Sequence, residues 1–199
     1  MEDNVAPVAI CQNITVQLNN TGNATITPSQ VNNGSSDACG IASLALNITT
    51  FNCANVNGNT VILTVTDVNG NSSTCTAAIT VRDLVAPVAI CQNITVQLSN
   101  TGTTSITPAQ INNGSSDACG IASLALDITS FSCANVSGNT VVLTVTDVNT
   151  NSSTCSATVT IQDNVAPIAV CQNVTVQLDN TGNGGTTAAA VNNGSSDNC

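Results

Sequence analysis

Val61-Ile62-Leu63-Thr64-Val65 and, after a short polar break, Cys75-Thr76-Ala77-Ala78-Ile79-Thr80-Val81 place an apolar side chain at every second position. A strand sends successive side chains to opposite faces, so this beat buries one face and wets the other. The β-branched residues that dominate it suit a pleated, half-buried surface. Ile14-Thr15-Val16-Gln17-Leu18 and Leu44-Ala45-Leu46-Asn47-Ile48 keep the same period. Between these runs lie Asn19-Asn20-Thr21-Gly22, Asn32-Asn33-Gly34-Ser35-Ser36, Asn57-Gly58-Asn59 and Asn69-Gly70-Asn71. Asn and Gly there supply the positive φ that tight turns require. Thr27-Pro28-Ser29-Gln30 predicts one helical turn, with a Thr cap and Pro at the first helical position. Six or seven short strands result, the pattern of an all-β, Ig-like β-sandwich.

The pattern then recurs. Asp3-Asn4-Val5-Ala6-Pro7 returns as Asp83-Leu84-Val85-Ala86-Pro87 and as Asp163-Asn164-Val165-Ala166-Pro167, a period of 80 residues. Residues 3–82 and 83–162 differ at 18 of 80 positions, nearly all exchanges that keep size and polarity. That period exceeds a solenoid coil, so each copy is read as a domain with its own core: 3–82, 83–162, and a third copy, 163–199, that stops partway. Ile79 to Val81 runs through Arg82-Asp83 into Val85-Ala86-Pro87 with no Gly/Ser hinge, and Pro87 stiffens the joint. The expectation is a stiff rod advancing on the order of 35 to 40 Å per domain.

Composition excludes several functions. The chain has no His, Trp or Tyr, a single basic residue, Arg82, and a formal charge of -10. Without imidazole or lysine it builds no Ser/His/Asp or Cys/His relay and no Schiff base, so it is read as a non-enzyme. Nucleic-acid binding needs cations against phosphate, and no apolar run reaches the length of a spanning helix, so membrane insertion of this segment is not expected. Only 6% of residues are charged, which leaves the surface to Asn, Thr, Ser and Gln, while 42% hydrophobic content in regular alternation marks a folded chain.

Cysteine usage points outside the cell. Cys11, Cys39, Cys53 and Cys75 recur as Cys91, Cys119, Cys133 and Cys155. A thin aliphatic core supplemented by disulfides is the design of small secreted domains. A zinc site is disfavoured because the spacings contain no CxxC pair and Cys75 lies in phase with core-facing Ala77 and Ile79. Four cysteines allow three pairings per repeat. The reading favours Cys11 with Cys75, joining first strand to last, and Cys39 with Cys53, closing a short excursion; Cys91–Cys155 and Cys119–Cys133 follow in the second copy. On the chain-entropy estimate the short loop contributes about 3 kcal/mol and the long one somewhat over ~4. By that scheme Cys171 and Cys199 seek partners beyond the end of the sequence, which therefore reads as a slice of a longer protein. Met1-Glu2 likewise reads as an arbitrary start, not as a secretory leader.

In fixed order, Asp-x-x-Ala-Pro, Cys11-Gln12-Asn13-Ile14-Thr15-Val16, Ser36-Asp37-Ala38-Cys39-Gly40, the run from Thr60 to Asn71 and the run from Cys75 to Val81 resemble the hyalin-repeat (HYR) domain. The chain looks most like its tandem arrays in very large Bacteroidetes surface proteins, including gliding-motility adhesins. The resemblance covers Asp3 to Cys199, with Gln12 where the family commonly has Pro and Cys53 as an additional cysteine. It implies an Ig-like sandwich, a bond between first and last cysteines, and a role in adhesion or as an extracellular stalk.

Two further sets of residues are candidates. Asp67-x-Asn69-x-Asn71 spaces oxygen ligands as calcium loops do, Asp147-x-Asn149-x-Asn151 repeats it, and Asp83 lies at the junction of two copies. Asn13, Asn33, Asn47, Asn71, Asn93 and Asn113 head N-x-[ST] sequons and are candidate glycosylation sites. The function expected is a non-enzymatic stalk of a cell-surface adhesin or the body of a fibre, its partners being neighbouring repeats or further copies. The alternative is a ligand-binding module for carbohydrate or ice, although sugar sites usually stack rings on Trp or Tyr.

Overall fold

A computed structural model describes residues 3–199; Met1-Glu2, read above as an arbitrary start, lie outside them. The first copy carries six strands: β1 (Ile14–Gln17), β2 (Asn23–Thr25), β3 (Ile41–Leu46), β4 (Thr50–Asn52), β5 (Asn57–Asp67) and β6 (Ser72–Arg82). A single helical turn, α1 (Pro28–Val31), follows β2. The second copy repeats the series as β7 (Ile94–Gln97), β8 (Thr103–Ser105), α2 (Pro108–Ile111), β9 (Ile121–Leu126), β10 (Ser130–Ser132), β11 (Ser137–Asp147) and β12 (Ser152–Gln162). In the third copy α3 (Ala188–Val191) forms.

Two sheets make each sandwich. The larger has the order β1-β6-β5-β3 and the smaller pairs β2 with β4; β7-β12-β11-β9 and β10-β8 repeat the arrangement. β5 and β6 form a long antiparallel hairpin, with Val61 opposite Ala77 and Leu63 opposite Cys75. β1 joins the other side of β6 in parallel, Ile14 against Ile79. Period two decides the core: Val61, Leu63 and Val65 of β5 and Ala77, Ile79 and Val81 of β6 are buried, and Phe51 of β4 packs with them from the second sheet. Val31 is buried at the end of α1, where Pro28 sets the first turn and the Gln30 side chain accepts the Thr27 N–H at 2.7 Å.

Contacts gather the chain into two compact units. One holds Met1–Val88, Ser116–Ser123 and Val145–Ser153; the other holds Ala89–Ser115, Leu124–Thr144 and Thr154–Cys199.

The turn between β5 and β6 is organised by Asp67, which is buried although acidic. Its carboxylate accepts the N–H groups of Asn69 (2.9 Å) and Asn71 (2.8 Å) and the Asn71 side-chain amide (2.8 Å). Gly70 takes φ 91° in this turn, and the second copy places Thr150 there at φ 75°. A β-branched residue in the left-handed region is strained, so the second turn carries a cost that the first does not.

Candidate functional site

The cysteines define the site. The structure joins Cys11 to Cys75 and Cys91 to Cys155, each pair with a Cα separation of 5.8 Å. Cys53 is bonded to Cys119, 66 residues on, and Cys133 to Cys199. The expected pairs Cys39–Cys53 and Cys119–Cys133 are thereby corrected: the second bond of each set passes from one copy to the next. Cys39 is an exposed free thiol, as is Cys171. Cys199 needs no partner further along the chain.

Strand geometry accounts for the correction. Cys39 lies beside the turn between β5 and β6, where the Val68 N–H meets the Gly40 carbonyl, and β3 runs away from that turn antiparallel to β5. β4 runs the same way in the second sheet, antiparallel to β2 with Asn52 opposite Asn23, and delivers Cys53 to Gly22. Cys53 is thus left at the opposite end of the sandwich from Cys39.

Both ends of the inter-copy bond are built locally. Cys53 opens a 3₁₀ turn, Cys53–Asn55, in which the Asn52 carbonyl side chain accepts the Ala54 N–H (3.0 Å) and Asn55 reciprocates on the Asn52 N–H (2.9 Å). Cys119 lies in a loop held by Asp117, whose Oδ1 accepts the N–H of Cys119 (2.7 Å) and of Gly120 (3.2 Å). Gly22 lies between them at φ 72°: a Cβ there would stand 2.7 Å from the Cys53 sulfur and 3.2 Å from the Ala118 Cβ. Gly102 repeats the close approach to Cys133. The sequence marks Gly22 only as a turn residue; that it makes room for a disulfide is a tertiary fact.

In the first copy the same loop is in place, with Asp37 Oδ1 accepting the Cys39 N–H at 2.8 Å. A hydrogen bond with Asp3 and the negative charge of Asp3, then burial and the charges of Asp37 and Asp67, push the Cys39 thiol above its ordinary pKa. The thiolate is the nucleophile in disulfide exchange, so these carboxylates slow exchange at Cys39.

The calcium candidates are dispersed among other duties. Asp67 and Asp147 each spend their carboxylates on their own turn, Asp147 accepting the N–H groups of Asn149 and Asn151, both at 2.8 Å. Asn71 donates its amide to Asp67 Oδ2 and to the Asp3 carbonyl (3.0 Å), and Asn151 donates to Asp147 Oδ2 and to the Asp83 carbonyl (3.3 Å). Hydrogen bonds from Asn71, Asn69 and Gly70 outweigh the upward push of burial and hold Asp67 below the usual carboxylate range. Asp83 stands apart, buried within another acidic group described below.

The sequon asparagines also divide. Asn13 and Asn93 use their carbonyls to accept the N–H of Ala78 (2.8 Å) and Thr158 (2.7 Å). Asn47 accepts the Ile62 N–H at 2.8 Å, and Asp127 does the same for Val142, which explains that exchange between copies. Asn71 commits the nitrogen that a glycan would occupy. Asn33 and Asn113 are exposed.

No family model matches the chain, and no curated protein matches it either. Among solved structures it is similar to protocadherin gammaB7 repeats EC3-6, at 15% identity over 91% of this chain and 56% of that one (TM-score 0.38). Drosophila N-cadherin EC1-4 shares 13% over 79% of this chain and 50% of its own (TM-score 0.45). The fibronectin(III)-like modules of Clostridium thermocellum CbhA share 10%, covering 79% of this chain and 92% of theirs (TM-score 0.30). The chain spans about half the length of the two cadherin structures.

Proposed function

We propose that this chain is a length of load-bearing stalk, or of the body of a surface fibre, in an extracellular adhesin built of hyalin-type repeats. The observation that carries the reading is the pair of bonds Cys53–Cys119 and Cys133–Cys199, which tie each copy covalently to the next in addition to the backbone. An independent binding module gains nothing from such a tie; a stalk that must hold its reach under tension does. Four disulfides in one chain persist where surroundings are oxidising, which supports placement outside the cell. The copies 3–82, 83–162 and 163–199 then act as successive domains whose partners are one another. A further repeat placed before residue 3 would bring its own counterpart of Cys53 to Cys39.

Small-angle scattering tests the reading. The oxidised chain is expected to show one narrow distribution of maximum dimensions, and the Cys53→Ser/Cys119→Ser double variant a broader one. An oxidised chain whose copies are freely jointed, or a positive glycan-array or ice-recrystallisation result, would overturn the stalk in favour of a ligand-binding module.

A further inference from the structure

Asp83 is only 6% exposed. Its Oδ1 accepts the Val85 N–H at 3.1 Å, but Oδ2 is enclosed without a hydrogen-bond partner. A buried carboxylate oxygen with no donor is a strongly unfavourable arrangement unless something positive completes it. Asp117 makes the requirement sharper. One carboxylate oxygen from each aspartate and the Cys119 sulfur lie within 4.8 Å of one another. That sulfur is bonded to Cys53 and is no thiolate, so the donors offered are carboxylate oxygens.

The third copy differs beside the corresponding aspartate. There the residue before the cysteine is Asn198, where the second copy has Ala118. The Asn198 amide donates to Asp163 Oδ1 at 3.2 Å, so a side-chain N–H faces the aspartate that corresponds to Asp83. Ala118 has no such group. The second copy therefore keeps two adjacent carboxylates, one of them buried, and lacks the donor that its sister copy supplies.

We propose that Asp83 and Asp117 together bind a divalent cation, and that the cation is calcium. The donor set is all oxygen, which selects a hard ion. Calcium accepts such carboxylate oxygens in a flexible geometry, whereas magnesium demands a near-ideal octahedron and dehydrates reluctantly. Two protein carboxylates with water filling the remaining positions make a weak site, in the range of about 0.1–1 mM found in extracellular modules. The ion binds beside the Cys53–Cys119 bond and neutralises the charge that gathers around it.

Equilibrium dialysis of the oxidised, chelator-stripped full chain against radioactive calcium tests this, comparing wild type with Asp83→Asn and Ala118→Asn. The first variant removes the buried charge. The second copies the third repeat's own solution at an exposed position, so it is expected to fold, with circular dichroism as the check. Both variants are expected to bind one calcium fewer per chain than wild type, and calcium is expected to raise the melting temperature of wild type more than that of either variant. Absence of calcium uptake by wild type at about 10 mM, ten times the weak end of that range, would overturn the proposal. Equal uptake by all three proteins would overturn it as well.

Discussion

Pull the chain by residues 3 and 199 and the disulfides decide how long it can become. With the bonds intact, the shortest covalent route has eight residues to Cys11, a bridge to Cys75, twenty-two residues back to Cys53, a bridge to Cys119, fourteen residues to Cys133 and a bridge to Cys199. At about 3.5 Å per extended residue those stretches reach ~154 Å, and three bridges add about 16 Å. Reduced, 196 residues lie between the ends and reach about 690 Å. The difference, ~520 Å, compares two taut chains and so does not depend on the folded dimensions. Single-molecule pulling with and without reductant reads it directly. Without Cys53–Cys119 the shortest route runs from Cys75 to Cys91, across to Cys155 and back to Cys133, two residues longer, so Cys53→Ser/Cys119→Ser should lengthen the oxidised chain by only about 8 Å. Cys11→Ser/Cys75→Ser leaves a route of fifty residues to Cys53 and fourteen from Cys119 to Cys133, and should lengthen the oxidised chain to about 235 Å, roughly a third of the reduced value. An oxidised chain extending well past about 170 Å, or one lengthened by many tens of ångströms on loss of Cys53–Cys119, would refute the connectivity on which the stalk reading rests.

Other outcomes follow from single residues. Thr150→Gly relieves the left-handed strain in the second β-hairpin turn and should stabilise the second copy by about 1 kcal/mol in urea unfolding, whereas Gly70→Thr should destabilise the first by a similar amount. Gly22→Ala places a methyl group against the Cys53 sulfur; non-reducing peptide mapping should recover less Cys53–Cys119 and more free thiol. Phe51→Ala empties the largest side chain of the first core and should cost about 3–5 kcal/mol. Asp67 has its folded pKa below its unfolded value, so its contribution is present above the ordinary carboxylate pKa and is lost as pH falls through the folded one. Melting temperature should fall on acidification through that window, and Asp67→Asn should flatten the fall while lowering the plateau at neutral pH.

How much was legible beforehand depended on the range of the interaction. Strands β5 and β6 follow from alternation alone, because burying one face of a pleated ribbon leaves its period in the sequence. The turn α1 follows from Thr27 and Pro28, whose effects reach no further than their own backbone. The Cys53–Cys119 bond could not be read in this way: it joins residues across a repeat boundary, and four cysteines per copy invite closure within the copy. The direction of β3 and β4, both carrying the chain away from the turn between β5 and β6, was the available signal, and it required knowing that β4 pairs with β2 in the other sheet. Asp67 was legible as an oxygen-bearing turn residue, but its sequence cannot say that the oxygens face inward to N–H groups. The burial of Asp83 depends on the loop around Asp117, more than thirty residues away, and only folding brings the two together.

The four disulfide loops overlap: Cys11–Cys75 with Cys53–Cys119, that loop with Cys91–Cys155, and the last with Cys133–Cys199. Every peptide bond between Cys11 and Cys199 therefore lies inside at least one closed ring. Had each copy closed its own bonds, one hydrolysed bond between Cys75 and Cys91 would sever the chain. As built, hydrolysis there, for example after Arg82, leaves both fragments joined through Cys53 and Cys119. A stalk outside the cell, as proposed above, would be exposed to proteases that it cannot escape and would lie beyond the reach of resynthesis. Overlapping rings give it tolerance to any single scission along this length, so that damage must strike the same ring twice before anything is lost.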